Sequence, residues 1–221
     1  MRSHYAPGRE RIVNNSGNIT LAIETAVTGG SLALFKDGTE IDLRLGGEGV
    51  SRSEDLLISI SEILEKNSVR RSELTSIAVS IGPGSYTGIR VGIATALGLK
   101  NALGIECTGI QVLEAMTLAL ASKESISAIP VGRDEICWRS FDPAGELLTG
   151  KENTFIEYLT GIGAFNAILH DKVFRKINGC PGIDPERLTN AGEGMARYVG
   201  LAAQGRESAA DLLPVYVRDF V

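Results

Sequence analysis

The densest run of chemistry-bearing residues is SIGPGSYTGIRVGIATALGLK, residues 80–100, where Gly82, Gly84, Ser85, Thr87 and Gly88 precede an apolar stretch. Glycine-rich turns that open a helix can cradle phosphate on backbone amides. Three chemistries with fixed spacing can be tested against this run. A P-loop needs GxxxxGK[ST], because its lysine reaches the terminal phosphates. Counted from Gly82 or Gly84, the second glycine position holds Thr87 or Ile89, and no lysine of the run precedes Lys100. The dinucleotide fingerprint GxGxxG fits Gly82 and Gly84, but Gly88 comes one residue late. A GxSxG nucleophile elbow fails because Pro83 and Thr87 flank Ser85 where glycines are required.

Other reactive side chains are scattered. Glu24 and Thr25 end an apolar run, so Glu24 either faces a ligand or caps the following turn through Thr25 and Thr28. Ser85, Tyr86 and Thr87 are ligand candidates whose commoner role, just before a helix, is capping. Cys137 with His170 would make a thiolate pair only with a third orienting group, and none is evident. Asp134 and Glu135 are adjacent, and on a strand they face opposite sides. The only histidines are His4 and His170, so no metal set is expected. Trp138 is read as a core or interface residue.

The supporting chain has 221 residues, 43% hydrophobic and 22% charged, with a net charge of −5. That balance argues against nucleic acid held by bulk charge. Cys107, Cys137 and Cys180 form no CxxC pair, which suits a reducing, cytoplasmic setting. No apolar run is long enough to span a bilayer, and residues 1–18 read as a polar tail without a signal peptide's apolar core.

Ile19 to Thr25 and Ser31 to Phe35 read as strands, and Asp37-Gly38 as a hairpin turn before a third strand, Ile41 to Leu45. Ser51 and Glu54 fit a capping box opening a helix whose Leu56, Leu57, Ile60, Ile63 and Leu64 share a face. Leu74 to Gly82 is a buried strand, then come the glycine-rich helix, a strand at 104–111 and a helix at 112–122. The order β-β-β-α-β-α-β-α is neither a Rossmann alternation nor an all-β pattern, and implies a mixed sheet with helices on it. Residues 19–122 form this first lobe. Residues 123–221 read as a second, reduced lobe. It has strands at 127–131, 136–141 and 166–170, a turn at Pro143-Ala144-Gly145 and a helix at 192–204. The pattern resembles the subdomains of the actin, hexokinase and sugar-kinase superfamily.

Within the glycine-rich helix, Gly88, Gly92 and Ala96 recur every fourth residue, as do Arg90, Ala94, Gly98 and Ala102. Helical glycine costs roughly 1 kcal/mol against alanine, so close approach of another backbone is the expected compensation. That backbone is either the chain's own sheet or a helix of a second subunit, and both can hold on opposite faces. Arg90 stands in the first turns, where a cation is disfavoured, so a carboxylate partner or a subunit contact is expected. On the subunit reading, Gly92→Leu and Ala96→Leu disrupt assembly and leave the monomer folded.

LAIETAVTGGSLALFKDG, the stretch from Ser80 to Met116, GRDEI at 132–136 and the closing PVYVR together resemble the TsaB (YeaZ) family. That family is the non-catalytic partner of TsaD in making threonylcarbamoyladenosine in tRNA. TsaD carries metal-binding histidines in an HxxxH helix, where this chain has Val112 and Met116. It departs from the TsaB pattern at Arg52, Pro130 and Cys137. The resemblance implies a scaffold or dimerisation subunit with no catalytic or metal residues of its own. It would dock on a TsaD-like subunit through the first helix and the glycine-rich helix, with Leu57, Ile60, Gly88, Arg90, Gly92 and Ala96 at the interface. It further implies a homodimer when alone, a TsaE-like ATPase and ATP only at the junction, tRNA contacts through the complex, and no membrane. Glu24, Thr25, Gly82, Gly84, Ser85 and Thr87 remain ligand or loop candidates. The alternatives are an ATP-dependent small-molecule kinase of the same superfamily, which needs a phosphate hairpin in each lobe, and a metalloprotease, which needs the missing histidines.

Overall fold

The structure, a computed structural model, describes residues 17–46, 53–120, 125–132, 134–140, 145–163, 165–206 and 212–217. Most of the expected tail, Ser51 and Arg52 of the expected cap, Arg133, the Pro143-Ala144 turn and Arg218 of PVYVR lie outside the described residues, as do the Ser53 and Glu54 side chains.

Strand β1 (Ile19–Glu24) is buried along its whole length, as its unbroken apolar sequence requires. It pairs antiparallel with β2 (Ser31–Lys36), which turns into β3 (Thr39–Leu45). Asp37 and Gly38 there both have positive φ, 50° and 79°, the geometry of a two-residue hairpin turn that matches strand twist. Helix α1 (Ser53–Lys66) then leads to β4 (Ser76–Gly82), parallel to β1. Helix α2 (Tyr86–Leu103), strand β5 (Glu106–Gln111) and helix α3 (Val112–Leu118) complete the run. The sheet order is β3-β2-β1-β4-β5.

The second lobe repeats this plan. Strands β6 (Ser125–Val131), β7 (Glu135–Ser140) and β8 (Leu147–Lys151) form an antiparallel meander. Helix α4 (Glu152–Gly161), β9 (Asn166–Leu169), α5 (Asp171–Ile177), β10 (Leu188–Asn190) and α6 (Ala196–Ala203) follow. The order β10-β9-β6-β7-β8 is that of the first sheet, element for element. The second lobe is thus short in its elements and full in their number. The sequence reading finds β6, β7, β9 and α6 and misses β8, α4, α5 and β10. Helix α4 has no side-chain N-cap and buries only Phe155 and Leu159, α5 is seven residues long and β10 three. None of these carries enough periodicity to register.

The layers run α1 and α2, first sheet, α3 and α6, second sheet, α4 and α5, with three apolar clusters between them. The two central helices are exchanged between lobes. Helix α6, made by the second lobe, lies on β1, β2 and β4, and α3, made by the first, lies on β6. Gly200 permits this closeness, since a Cβ there would run into the Phe35 ring. Ser31 Oγ accepts the Ala196 N–H at 2.9 Å, so a first-lobe hydroxyl caps the second lobe's last helix. The Arg197 guanidinium grips Glu40 through two bonds of 2.9 and 2.8 Å. Trp138 is core, packed at a tilt against Phe155 and Tyr158 with ring centres 5.0 and 5.4 Å away.

Candidate functional site

The C-terminal ends of β1, β4 and β6 open on a cleft between the lobes with a cavity of about 810 Å³. Its walls are the turn at 25–29, the turn and helix start at 84–88, residues 130–132, and Tyr216 with Val217. Among the described lining residues none is ionisable except through the tyrosine phenols, so they offer hydroxyls and backbone amides and no acid–base pair or metal set. Among the described residues no group of three His, Cys, Asp or Glu side chains stands ready for a metal.

Glu24 is buried at the end of β1 and turned back on its own chain. Its Oε1 accepts the N–H groups of Ala26 at 2.5 Å and Val27 at 2.8 Å, while Oε2 is buried without a partner. Desolvation outweighs the two amide bonds and pushes its pKa up to about 7. Glu24 thus holds the turn, through the Ala26 and Val27 amides and not through Thr25 and Thr28, and it does not line the cavity. The buried Thr25 hydroxyl donates to Gly88 O at 2.7 Å and ties the turn to α2.

The glycines of the opening motif are pressed against this turn. A Cβ on Gly84 would stand 2.5 Å from Ala26 O, one on Gly88 would overlap Thr25 O, and one on Gly92 would overlap the Thr25 hydroxyl. Ser85 donates its N–H to Ala26 O at 2.8 Å, and its hydroxyl caps α2 by accepting from Gly88 N–H at 3.3 Å. Gly82, at φ 107°, faces the carbonyl of Val215. There the segment 212–217 crosses the strand end, with the Val215 N–H donating to Ile81 O at 2.7 Å.

Several expected interface residues are therefore turned inward. Gly88, Gly92 and Ala96 are buried against the chain's own β1 turn and sheet, and Ile60, 2% exposed, packs in the first-lobe core. They cannot form an open face, because the space beside them is already filled. Leu57 and Ile58 on α1 stay 55% and 57% exposed, and Arg90, Ala94, Leu97 and Gly98 form the outward side of α2. Arg90 has no carboxylate partner among the described residues. Its guanidinium lies 3.9 Å from the centre of the Tyr86 ring, and its Nε–H donates to the Tyr216 hydroxyl at 3.4 Å. Tyr86 and Tyr216 stack with centres 5.0 Å apart. Sequence reasoning missed this cluster; its signal was one tyrosine in each of two motifs 130 positions apart, with nothing to join them.

The remaining candidates have structural posts. The Cys137 thiol is buried and pushed up to about 12. His170 Nδ1 accepts the Lys172 N–H at 3.1 Å and caps α5, and burial lowers its pKa to about 4. No hydrogen bond joins the two. Thr87 and Ser85 are exposed at the cavity wall. Val112 and Met116 are fully buried in the core between the sheets.

Two equivalent five-stranded mixed sheets with exchanged helices and a cleft between them define the actin/hexokinase class of fold. The solved structure titled YeaZ from Pseudomonas aeruginosa superposes with a TM-score of 0.62 at 20% identity, covering 90% of this chain and all of that one. Component A of (R)-2-hydroxyglutaryl-CoA dehydratase from Acidaminococcus fermentans follows at TM-score 0.54 and 11% identity, covering 84% of this chain and 96% of that one. The Escherichia coli K12 protein named tRNA threonylcarbamoyladenosine biosynthesis protein TsaB is 32% identical over 127 residues, 55% of this chain. The match spans only about half, 54%, of that relative's length. A family model described as TsaD: tRNA N6-adenosine threonylcarbamoyltransferase matches residues 50–206. The chain belongs to this threonylcarbamoyltransferase family, in its TsaB/YeaZ branch. Among the described residues no helix is long and apolar enough to cross a membrane.

Proposed function

We propose that this chain is a partner subunit of a TsaD-type threonylcarbamoyltransferase, takes part in making threonylcarbamoyladenosine in tRNA, and has no complete active site of its own. The observation that carries the reading is the place of Val112 and Met116. On the family resemblance they take the positions of the metal-binding histidines of TsaD-type chains, and both are buried in the apolar core between the sheets. Neither side chain can ligate a hard divalent ion, and no water reaches the position. The partner's face is the outward side of α1 and α2. Leu57 and Ile58 are exposed on α1, and the small residues Ala94 and Gly98 are exposed on α2, where they let a second helix come close. Alone, the same face pairs two copies of this chain, since leaving it wet costs roughly 25 cal/mol per Å². A TsaE-like ATPase joins at the junction and brings ATP there, and tRNA is met through the assembled complex. The division into lobes at about residue 122 then describes a docking lobe and a supporting lobe.

Size-exclusion chromatography with light scattering tests this. The chain is run alone and mixed with the TsaD of its own source. A homodimer that exchanges into a one-to-one heterodimer supports the reading, whereas a monomer indifferent to TsaD would sink it. The cavity between the lobes favours one second reading, a small-molecule kinase of the same superfamily. Calorimetric titration with ATP and magnesium distinguishes it, because that reading requires binding by the chain alone.

A further inference from the structure

We infer that Arg90, clamped by Tyr86 and Tyr216, is a recognition point for a carboxylate of the docked partner. This rests on the docking reading above and names the chemistry at one end of that face. Arg90 projects from the outward side of α2, in line with exposed Ala94, Leu97 and Gly98. The positive end of the helix dipole opposes a cation at this position, and no described carboxylate compensates it. What holds it is aromatic. The Tyr86 ring stacks on the guanidinium at 3.9 Å, the Tyr216 hydroxyl takes its Nε–H at 3.4 Å, and the two rings stack on each other. A guanidinium fixed in this way keeps its terminal N–H groups free for a planar, two-oxygen acceptor.

The acceptor is a side-chain carboxylate and not an RNA phosphate. A nucleic-acid track needs several cations in series. The next cation along α2 is half-buried Lys100, about 15 Å further on at 1.5 Å per residue. Between them the outward stripe is uncharged, and none of the described residues lining the adjoining cleft is a lysine or arginine. Tyr216 belongs to segment 212–217, which is tied to the end of β4 through the Val215 amide. This segment is therefore a positioning element for the docking face, and Tyr216 its acting residue.

The test is titration of the TsaD of the same source into this chain by calorimetry, with circular dichroism confirming that each variant is folded. Arg90→Ala is expected to raise Kd at least tenfold and to flatten its dependence on salt. Tyr216→Ala is expected to raise Kd by a smaller factor, and the double variant by no more than Arg90→Ala alone. Tyr216→Phe, which keeps the ring and loses the hydroxyl, is expected to fall between wild type and Tyr216→Ala. Arg90→Ala within twofold of wild type overturns the inference. If Leu57→Asp abolishes binding in that case, docking stands and only the recognition point fails. If Leu57→Asp is also silent, docking itself fails. Loss of tRNA capture by the assembled complex with TsaD affinity unchanged identifies a phosphate acceptor and likewise overturns the proposal.

Discussion

Glu24 and His170 are both buried as neutral groups, and their effects on stability run in opposite directions. Folding raises the Glu24 pKa from 4.5 to about 7. Between those values the unfolded chain has lost a proton that the folded chain keeps, so stability falls as pH rises. Folding lowers the His170 pKa from 6.5 to about 4. Between those values the unfolded chain holds a proton that the folded chain refuses, so stability falls as pH drops. Each effect is worth about 3 kcal/mol, and the two nearly cancel from about pH 4.5 to 6.5. Glu24→Gln is expected to gain about 3 kcal/mol relative to wild type between pH 4.5 and pH 8, measured by urea unfolding at both. A constant difference would show that folding leaves the Glu24 pKa unchanged. That Glu24 ends an apolar strand was legible in the sequence, and capping was one of its two readings. Its partners were out of reach, because Ala26 and Val27 contribute backbone amides, which carry no side-chain signature.

Helix α2 carries two stripes of small residues that the sequence could not tell apart. Both repeat every fourth position, and both satisfy the same argument for close approach. Only the three-dimensional surroundings separate them, since Gly88, Gly92 and Ala96 meet the 25–29 turn and the sheet while Ala94 and Gly98 meet solvent. Gly92→Leu and Ala96→Leu are thus expected to destabilise the monomer itself, by about 1–3 kcal/mol or more from overpacking, seen as a lower midpoint in thermal denaturation. A Cβ on Gly98 meets nothing within 4 Å. Gly98→Ala is expected to stabilise the isolated chain by about 1 kcal/mol, and Gly98→Leu to keep the monomer folded while weakening assembly by light scattering. Loss of fold in Gly98→Leu would mean that the outward stripe is not open. The first-lobe elements were legible because most are apolar runs or amphipathic stretches bounded by clear turn residues such as Gly29-Gly30 and Asp37-Gly38. The glycine motif was legible as a rejection of known phosphate loops, and its positive role needed the neighbouring turn.

At the scale of the molecule, the exchange of α3 and α6 makes the lobes interdependent. The first sheet's inner face, with Ala22, Ala33, Phe35 and Ala78, is covered by a helix more than a hundred residues downstream. Residues 17–120 alone expose that face, so they are expected to bind the dye ANS and to lack dispersed amide resonances, with recovery when residues 121–221 are co-expressed. A well-dispersed spectrum from the fragment alone would refute this dependence. A second, reduced lobe was expected from the sequence, but its full repeat of the plan was hidden, because the lobes share topology without sharing residues. Exchange was equally hidden, since the apolar face of α6 suits either sheet.

The same exchange orders events during synthesis. The first lobe's residues are translated well before α6, and at roughly 5–20 residues per second the gap lasts on the order of 5–20 seconds. Through that interval the inner face of the first sheet waits uncovered on the ribosome. A chain that stops early therefore yields no folded half, only an unfinished sheet that quality control can recognise.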